Sequence, residues 1–243
     1  MEEATRKNVA RFSSNLLTYI LMLQSLFISN VIYFSKIIKQ NNYWYVLYVI
    51  LHVVLLAMSL WTHYMCMTTN PGYIPEIKDV DIVEVDMTFT HCKKCDSYRP
   101  IGSHHCKSCK RCILRMDHHC VWVCNCVGKF NQKFFMQYLV YIMVMSIFDI
   151  LLILINVRDF LSYSGKNNKY QLYYIINRAP YLIVIFGCIA IVFLLFCAIM
   201  LIDQLVSVFR NRTGIDSLQK IKFQRLKFRE SLKNIFGNTC SEV

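Results

Sequence analysis

Residues 92 to 126 read CKKCDSYRPIGSHHCKSCKRCILRMDHHCVWVCNC, and this cysteine-rich stretch decides how the whole chain is interpreted. It contains two Cys-x2-Cys pairs, each of which can present two thiolates to one tetrahedral zinc ion. Each ion then needs two further ligands, which can come from residues further along: His105, Cys112, His119 and Cys126. Two closed Cys3His sites leave no open coordination position, so the metal is expected to hold the shape of the segment without activating water.

Three reactive side chains are left over once those ligands are assigned. Asp117, His118 and Cys120 provide a carboxylate, an imidazole and a thiol, which is the set required for an activated cysteine nucleophile. Spacing alone does not decide which histidine of the adjacent pairs, 104/105 and 118/119, serves as the metal ligand. The segment therefore predicts both a structural metal module and a thiol available for chemistry.

The composition places the rest of the chain in a membrane. Of the 243 residues, 56% are hydrophobic and the mean hydropathy is +0.37, which is more apolar than a soluble domain needs to fill its core. Four stretches are long enough to span a bilayer as helices, at about residues 15–34, 44–65, 134–155 and 181–202. The first stretch follows three basic residues, but it is too long for the core of a signal peptide and is interpreted as a true span.

Lysine and arginine residues set the expected orientation. Of the 27 such residues, 21 fall on the side that carries both termini and the segment between spans two and three, and 6 fall on the other side. This asymmetry predicts cytosolic termini and a cytosolic cysteine-rich segment, where a reducing environment favours metal ligation over disulfides. The net charge of +12 then indicates anionic lipid or a polyphosphorylated ligand as partner, and no nucleic acid is expected.

The predicted fold is an all-α membrane protein of four transmembrane helices, with a cytosolic zinc-stapled domain between helices 2 and 3. The expected divisions are a cytosolic N-terminus (1–14), a transmembrane hairpin (15–65), the cysteine-rich domain (66–133), a second transmembrane hairpin (134–202) and a basic amphipathic tail (203–243). No internal repeat is evident. Asn70-Pro71-Gly72 is expected to end the second helix, because proline lacks an amide donor and glycine permits positive φ.

The motifs of the cysteine-rich segment resemble those of the DHHC-type zinc-containing protein S-acyltransferases (palmitoyltransferases). The matching positions cover the whole segment and reach the third span: Cys92, Cys95, Arg99-Pro100, His105-Cys106, Cys109, Cys112, Asp117-His118-His119-Cys120, Trp122, Asn125-Cys126, Gly128, Asn131 and Phe135. A few positions depart from the family pattern. Val121 replaces a usual proline, Cys124 replaces an asparagine, and Thr213-Gly214-Ile215-Asp216 is a degraded form of a Thr-Thr-x-Glu element.

The resemblance implies specific roles for these residues. One zinc site is expected from Cys92, Cys95, His105 and Cys112, and the second from Cys106, Cys109, His119 and Cys126. Cys120 is implied to be the nucleophile, His118 its base and Asp117 the group that orients the histidine. The implied activity is two-step, ping-pong transfer of a long-chain acyl group, with palmitoyl expected, from acyl-CoA to cysteines of membrane-associated proteins. The expected location is an endomembrane, ER or Golgi.

A fatty chain requires an apolar slot, and one face of the third span offers one. Phe135, Tyr138, Ile142 and Met145 recur at helical spacing, and at 1.5 Å per residue this face covers ~15 Å. Trp122 adds an aromatic ring two residues from the proposed nucleophile. The alternative for these residues is ordinary packing between spans.

Other functions and partners are weighed on the same residues. A catalytically silent zinc-containing adaptor would not require Asp117, His118 and Cys120, and a metal transporter would carry its polar ligands inside the spans. The basic tail is expected to bind anionic lipid at the membrane surface, with packing on the cysteine-rich domain as the alternative. The carboxyl-terminal Ser241-Glu242-Val243 matches the pattern that a PDZ groove accepts.

Overall fold

The computed structural model describes residues 16, 18–20, 22, 23, 25, 43–75, 89–163, 180–221, 223 and 226–237. The helices are α1 (Tyr43–Thr68), α2 (Gln132–Tyr163), α3 (Pro180–Arg210), α4 (Gly214–Leu218) and α5 (Phe228–Phe236). The strands, all between α1 and α2, are β1 (Phe89–Cys92), β2 (Ser97–Pro100), β3 (Ser103–Cys106), β4 (Arg111–Leu114), β5 (His118–Cys120) and β6 (Asn125–Val127).

The chain divides into two compact units: the first includes Trp61–Gln137 and Leu201–Val243, and the second is Leu16–Leu60 with Tyr138–Met200.

Three helices in the described part of the chain are long and apolar enough to cross a membrane. They are Val46–Thr68, Gln132–Ile155 and Val184–Arg210, which correspond to the second, third and fourth predicted spans. Most of the first predicted span lies outside the described residues, and its described positions between 16 and 25 are helical. Apolar side chains cover the outer faces, with Ile199 67% exposed, as lipid-facing residues are expected to be.

A buried polar cluster joins the helices of the second unit. The hydroxyl of Ser25 lies 2.9 Å from His52 Nε2 and donates a hydrogen bond of 2.5 Å to Asp149 Oδ2. Leu152 of α2, three residues after Asp149, packs against Phe186 of α3. Because hydrocarbon offers no water to hydrogen-bond, such polar groups are tolerated only when they satisfy one another.

The cysteine-rich segment folds as three β-hairpins that repeat one geometry. β1 pairs with β2, β3 with β4 and β5 with β6, all antiparallel. The first strands end at Cys92, Cys106 and Cys120, so equivalent positions recur every 14 residues. The expectation of no internal repeat is therefore wrong. The period escapes notice because each unit is short and only the histidine and cysteine before the turn keep the same residue type.

The hairpins also refine the predicted fold class. The described membrane-length elements are helices, as predicted, but the cysteine-rich domain adds β-structure that an all-α description leaves out. Strands of three or four residues carry too little alternation of apolar and polar side chains to predict a sheet. Their register comes from tight turns and from the side chains that converge between hairpins.

Two Cys3His clusters connect consecutive hairpins. Each cluster combines the two turn cysteines of one hairpin with a histidine and a cysteine of the next: Cys92, Cys95, His105 and Cys112, then Cys106, Cys109, His119 and Cys126. Within each cluster all ligand atoms lie within 4.8 Å of one another.

The spacing of these ligand atoms fits zinc. Neighbouring ligand atoms, cysteine Sγ and histidine Nδ1, are 3.1 to 3.7 Å apart in the first cluster and 3.4 to 3.6 Å apart in the second. A tetrahedral site with Zn–S bonds of about 2.3 Å has ligand-to-ligand distances of about 3.8 Å. The two sets of donors are therefore arranged as closed structural sites would require.

The turn after α1 forms as predicted. Helix α1 ends at Thr68, and the side-chain oxygen of Asn70 accepts hydrogen bonds from the amides of Gly72 and Tyr73 at 2.9 and 2.8 Å. Gly72 adopts φ +112°, a conformation that side chains other than glycine rarely tolerate. This Asx turn directs the chain from the helix toward the hairpins.

Zinc removal is expected to unfold the cysteine-rich domain. Cys106→Ala deletes one ligand of the second cluster, and because metal binding at a closed site contributes directly to folding, the variant should lose metal and melt at a lower temperature. Elemental analysis of the purified, unaltered chain should find close to two zinc ions per chain, because two ligand sets exist. Cys188→Ala, an exposed cysteine of α3 outside both clusters, is the matched control. One zinc per unaltered chain would contradict the assignment.

The turn of the third hairpin carries a strained residue. Asp96, Lys110 and Cys124 occupy the same place in the three turns, and their φ values are +49°, +55° and +49°. Asparagine and aspartate tolerate this left-handed region better than most residues, and cysteine has no such preference. Cys124 donates a hydrogen bond of 3.2 Å from its thiol to the carbonyl of Val121, which offsets part of this cost.

Replacing Cys124 by asparagine should therefore stabilise the protein. Because asparagine tolerates the left-handed conformation better than cysteine, Cys124→Asn should lower its free-energy cost by up to about 1 kcal/mol. This corresponds to a rise in melting temperature of roughly 1–3 °C for a chain of this size. Thermal unfolding of purified protein measures it. Cys124→Ala is the matched control, because alanine removes the thiol and keeps the unfavourable conformation. Equal melting temperatures for the asparagine and alanine variants would show that strain at this position is negligible.

Candidate active site

Alternation along β5 separates the two adjacent histidines of the third hairpin. Successive side chains of a strand point to opposite faces, so His118 and Cys120 share one face and His119 lies on the other. The Nδ1 atom of His119 is 3.6 Å from Cys106 Sγ, inside the second cluster. The same alternation on β3 turns His105 toward the first cluster and His104 away from it. The structure thus separates a metal-facing and a metal-free histidine in each pair.

Asp117 and His118 form a hydrogen-bonded pair at the start of β5. The Nδ1 atom of His118 donates to Asp117 Oδ2 at 2.8 Å, and the backbone amide of Asp117 donates to the carbonyl of Val127 at 2.9 Å. Asp117 is buried. With its Nδ1 proton directed at the carboxylate, the neutral ring keeps Nε2 as an acceptor. Nε2 is buried and has no hydrogen-bond partner of good geometry among the described residues.

The pair is electrostatically biased toward the charged state. Burial by itself would raise the pKa of Asp117, but hydrogen bonds from His118 and Gln204 hold that pKa below its ordinary value. Burial likewise opposes protonation of His118, yet the hydrogen bond to Asp117 and the electrostatic interactions of the ring with Asp117 and Cys120 raise its pKa to about 9.

The thiol of Cys120 lies in a shielded position. Cys120 is 6% exposed and is paired with Asn125 across the third hairpin. The ring of Phe135, at the start of α2, meets the His118 ring edge to face, with centroids 5.2 Å apart. A buried thiol beside a held imidazole has the geometry expected of a cysteine nucleophile and its base.

Two asparagines attach the third hairpin to the end of α1. The side-chain amide of Asn125 donates to the carbonyls of Cys66, Met67 and Thr69 at 3.0 to 3.2 Å. Asn131 donates to the carbonyls of Cys66 and Cys126 at 3.1 and 2.7 Å. The last carbonyls of a helix have no partners inside the helix, so these amides satisfy groups that would otherwise be exposed or orphaned.

A buried glutamine of α3 contacts the carboxylate of Asp117. Gln204 donates from Nε2 to Asp117 Oδ2 at 2.6 Å, and Gln132 of α2 donates from Nε2 to Gln204 Oε1 at 3.0 Å. Both glutamines are fully or almost fully buried. Oδ2 of Asp117 therefore accepts from His118 and from Gln204 at once, while the amide of Gly214 lies 3.5 Å from Oδ1.

The segment that follows α3 is ordered by a capping box. Asp216 Oδ2 accepts from the amide of Thr213 at 2.8 Å, and Thr213 Oγ1 accepts from the amide of Asp216 at 3.2 Å. The other oxygen, Asp216 Oδ1, accepts a buried hydrogen bond of 2.7 Å from His104 Nε2. The element that looks degraded in sequence is thus closed on itself and attached to the second hairpin, since aspartate serves in place of the usual glutamate.

The tail continues to pack on the first unit after this element. Ile235 of α5 is buried with Met136 of α2 and Val208 of α3. Gly102, in the turn between β2 and β3, adopts φ +79°, and a Cβ added there would lie 2.7 Å from the ring of Phe223. These contacts match the alternative in which the tail packs on the cysteine-rich domain. Two basic tail residues, Lys222 and Arg225, and Ser241-Glu242-Val243 lie outside the described residues.

Sequence reasoning missed several residues around Asp117. Thr213-x-x-Asp216 fits the capping-box pattern, so that element could have been recognised from its spacing. No local signal marks Gln204, Gln132 or His104, because their partners lie 72 to 112 residues away in the chain. Such contacts exist only once α2, α3 and the hairpins are folded together.

The residues predicted to line an acyl slot are all at least partly buried. Phe135 belongs to the first unit, where it contacts His118, and the carbonyl of Trp122 accepts a 3.0 Å hydrogen bond from His63. In the second unit Tyr138, Ile142 and Met145 are buried on α2, and Met145 accepts a hydrogen bond from Ser59 at 3.8 Å.

The chain is similar in sequence to known proteins. The DHHC palmitoyltransferase family model matches residues 86–221. The chain is 30% identical to Palmitoyltransferase ZDHHC3-A of Danio rerio over 194 residues, which is 76% of this chain and 60% of the relative. It is 30% identical to Palmitoyltransferase ZDHHC3 of Rattus norvegicus over 238 residues (93% of this chain, 77% of the relative). It is also 30% identical to Palmitoyltransferase ZDHHC7 of Rattus norvegicus over 226 residues (87% and 70%).

The matched region contains both Cys3His clusters, the Asp117-His118-His119-Cys120 sequence and the capping box after α3. The resemblance drawn from the sequence is therefore confirmed. The chain belongs to the DHHC palmitoyltransferase family.

Proposed function

We propose that this multi-pass membrane protein is a protein S-acyltransferase that moves a long-chain acyl group, with palmitoyl expected, from acyl-CoA to cysteines of membrane-associated proteins. The observation that carries the proposal is the buried thiol of Cys120 on the same strand face as His118, whose ring is held by Asp117. Eight of the other cysteine and histidine side chains of the hairpins converge in the two Cys3His clusters. Their closed donor sets support a structural role for two zinc ions.

In the proposed first half-reaction the Cys120 thiolate attacks the carbonyl carbon of the acyl-CoA thioester. The carbon–sulfur bond to CoA breaks, and the CoA thiolate takes the proton held on Nε2 of His118. A free thiol has a pKa of about 8.5 and is mostly protonated at neutral pH, so an adjacent imidazolium increases the reactive fraction. The pKa of about 9 for His118 supports this role.

In the proposed second half-reaction His118 acts in the opposite direction. Its neutral Nε2 accepts the proton of an incoming protein thiol, the resulting thiolate attacks the acyl-Cys120 thioester, and the Cys120 thiolate leaves. The carboxylate of Asp117 keeps the Nδ1 proton in place through both steps, so the same nitrogen serves as acid and then as base. The sequence is ping-pong, because CoA leaves before the acceptor protein reacts.

The alternative of a catalytically silent adaptor does not account for these features. A module that only recruits partners needs the two clusters, but it does not need a buried thiol beside a histidine whose second nitrogen is unpartnered among the described residues. Burying such groups without use is costly. The acyltransferase is therefore the better proposal.

The fatty chain is proposed to lie along the face of α2 that carries Phe135, Tyr138, Ile142 and Met145. Burial of all four side chains supports this placement, and within the first unit Phe135 contacts His118. The basic cytosolic face would attract the CoA phosphates and anionic lipid. Cytosolic termini, an ER or Golgi location and a PDZ partner stay predictions of the sequence.

Replacing each of the two adjacent histidines with alanine, one at a time, should separate catalysis from metal binding. His118→Ala should keep both zinc ions and slow acyl-enzyme formation by roughly 10²- to 10⁴-fold, because it removes an acid–base group and no metal ligand. His119→Ala, the matched control one residue away, should lose zinc and unfold the domain. Incubation with labelled acyl-CoA, together with elemental analysis, measures both effects. The reverse pattern would contradict the assignment.

The nucleophile can be tested by the smallest possible change. Cys120→Ser should retain zinc and the fold but form no hydroxylamine-sensitive thioester and modify no acceptor protein, because a hydroxyl is a far weaker nucleophile than a thiolate. Intact-protein mass spectrometry after incubation with acyl-CoA detects the adduct. If this variant still accumulates thioester on Cys124 at the normal rate, Cys124 carries the acyl group and the assignment to Cys120 is wrong.

The depth of the acyl slot should depend on Met145. Met145→Ala should shift the preference toward longer acyl-CoA and Met145→Trp toward shorter chains, since each buried methylene contributes about 0.8 kcal/mol. Competition between acyl-CoA lengths measures the shift. Ile147→Ala, an exposed position of α2, is the matched control. Unchanged preferences in both Met145 variants would move the slot to another helix.

A further inference from the structure

We propose that Gln204, oriented by Gln132, is a positioning residue that fixes the carboxylate of Asp117 and through it the ring of His118. The inference rests on the proposed acyl transfer and names two residues that support the same site. The chain of contacts runs from Gln132 Nε2 to Gln204 Oε1 at 3.0 Å, and from Gln204 Nε2 to Asp117 Oδ2 at 2.6 Å. It ends at the 2.8 Å bond from His118 Nδ1 to the same oxygen.

The direction of the Gln204 amide follows from its two neighbours. A carboxylate only accepts hydrogen bonds, so the atom that faces Asp117 must be the NH2 group. The carbonyl oxygen of Gln204 then points the other way, where Gln132 donates to it. If either glutamine were rotated by half a turn, two oxygens or two nitrogens would face each other. The pair of glutamines is therefore self-consistent in one orientation only.

Burial makes this contact strong. Gln204 is 0% and Gln132 2% exposed, so water does not compete for the carboxylate from that side. A hydrogen bond to a charged group contributes about 1.5 to 3 kcal/mol. Removing the donor would leave Asp117 free to rotate away from His118, and the histidine would lose the partner that holds its Nδ1 proton.

The geometry assigns Gln204 a positioning role and no part in bond making. Its side chain meets the oxygen of Asp117 that already accepts from His118, and its amide hydrogen-bonds to Asp117 and Gln132. Loss of Gln204 should therefore affect the rate of acyl transfer to Cys120 and leave acyl-CoA binding almost unchanged. A general packing defect would instead lower stability and affect both kinetic constants.

The test compares two substitutions at one position with a control on the same helix. Gln204→Met keeps the length of the side chain and removes the donor, and Gln204→Glu keeps the shape and replaces the donor with an acceptor. Each should lower kcat for acyl-enzyme formation roughly ten- to a hundredfold, with KM for palmitoyl-CoA within about twofold of the unaltered protein and with zinc content unchanged. Ser207→Ala, a buried residue of α3 whose hydroxyl has no partner among the described residues, should keep kcat unchanged.

A double-mutant cycle with Asp117→Asn decides how Gln204 acts. If Gln204 works only through the carboxylate, adding Gln204→Met to Asp117→Asn should change kcat by less than about twofold, because residues that act as one unit are not additive. Full additivity of the two effects would overturn the inference, as would a normal kcat in both single variants at position 204. Absence of any acyl-enzyme in the unaltered protein would instead refute the proposed function itself.

Discussion

Each pair of turn cysteines depends on the following hairpin for its other two ligands, and this dependence determines what remains for chemistry. The first cluster takes a histidine and a cysteine from the second hairpin, and the second cluster takes the equivalent residues from the third. The third hairpin begins its own turn with Cys120, but Val123 occupies the place of the second thiol. The chain then enters α2 at Gln132. Cys120 therefore occupies the position of a metal ligand but belongs to neither of the two clusters found in the described part of the chain.

The carboxylate of Asp117 is the point at which separate parts of the first unit meet. It lies before β5, accepts from His118 and from Gln204 of α3, and approaches the amide of Gly214 ahead of α4. A buried carboxylate is stable only when several donors surround it, so the site requires all of these elements to be in place. The proposed catalytic pair is thus coupled to the folding of the tail.

Further contacts attach the third hairpin to the end of α1 and the tail to α2 and α3. Asn125 and Asn131 satisfy carbonyls at the end of α1, and Ile235 of the tail is buried against α2 and α3 residues in the first unit. Because the described long helices are apolar enough to cross a membrane, a thiol anchored at their ends is suited to a substrate whose chain is apolar and whose head group is charged. This placement suits the acyl-CoA of the proposed reaction.

Much of this protein follows from the sequence by itself. The length of the apolar stretches predicts the long helices, because a helix that crosses a bilayer needs about 20 consecutive, mostly apolar residues. The Cys-x2-Cys pairs predict metal ligation, and the surplus Asp117, His118 and Cys120 predict the reactive group, because local spacing already limits which donors can reach one ion. The Thr213-x-x-Asp216 element was also readable, since a capping box is a contact between near neighbours.

The tertiary structure decided the rest. It separated His118 from His119 and His104 from His105, because strand alternation depends on where each hairpin begins and spacing leaves that open. It revealed the repeat of three hairpins, whose turns share geometry and few residue types. Gln204 became visible only through its contact with Asp117, 87 positions away in the chain. A single buried glutamine carries no pattern in sequence, and its role exists only because folding brings α3 to the carboxylate.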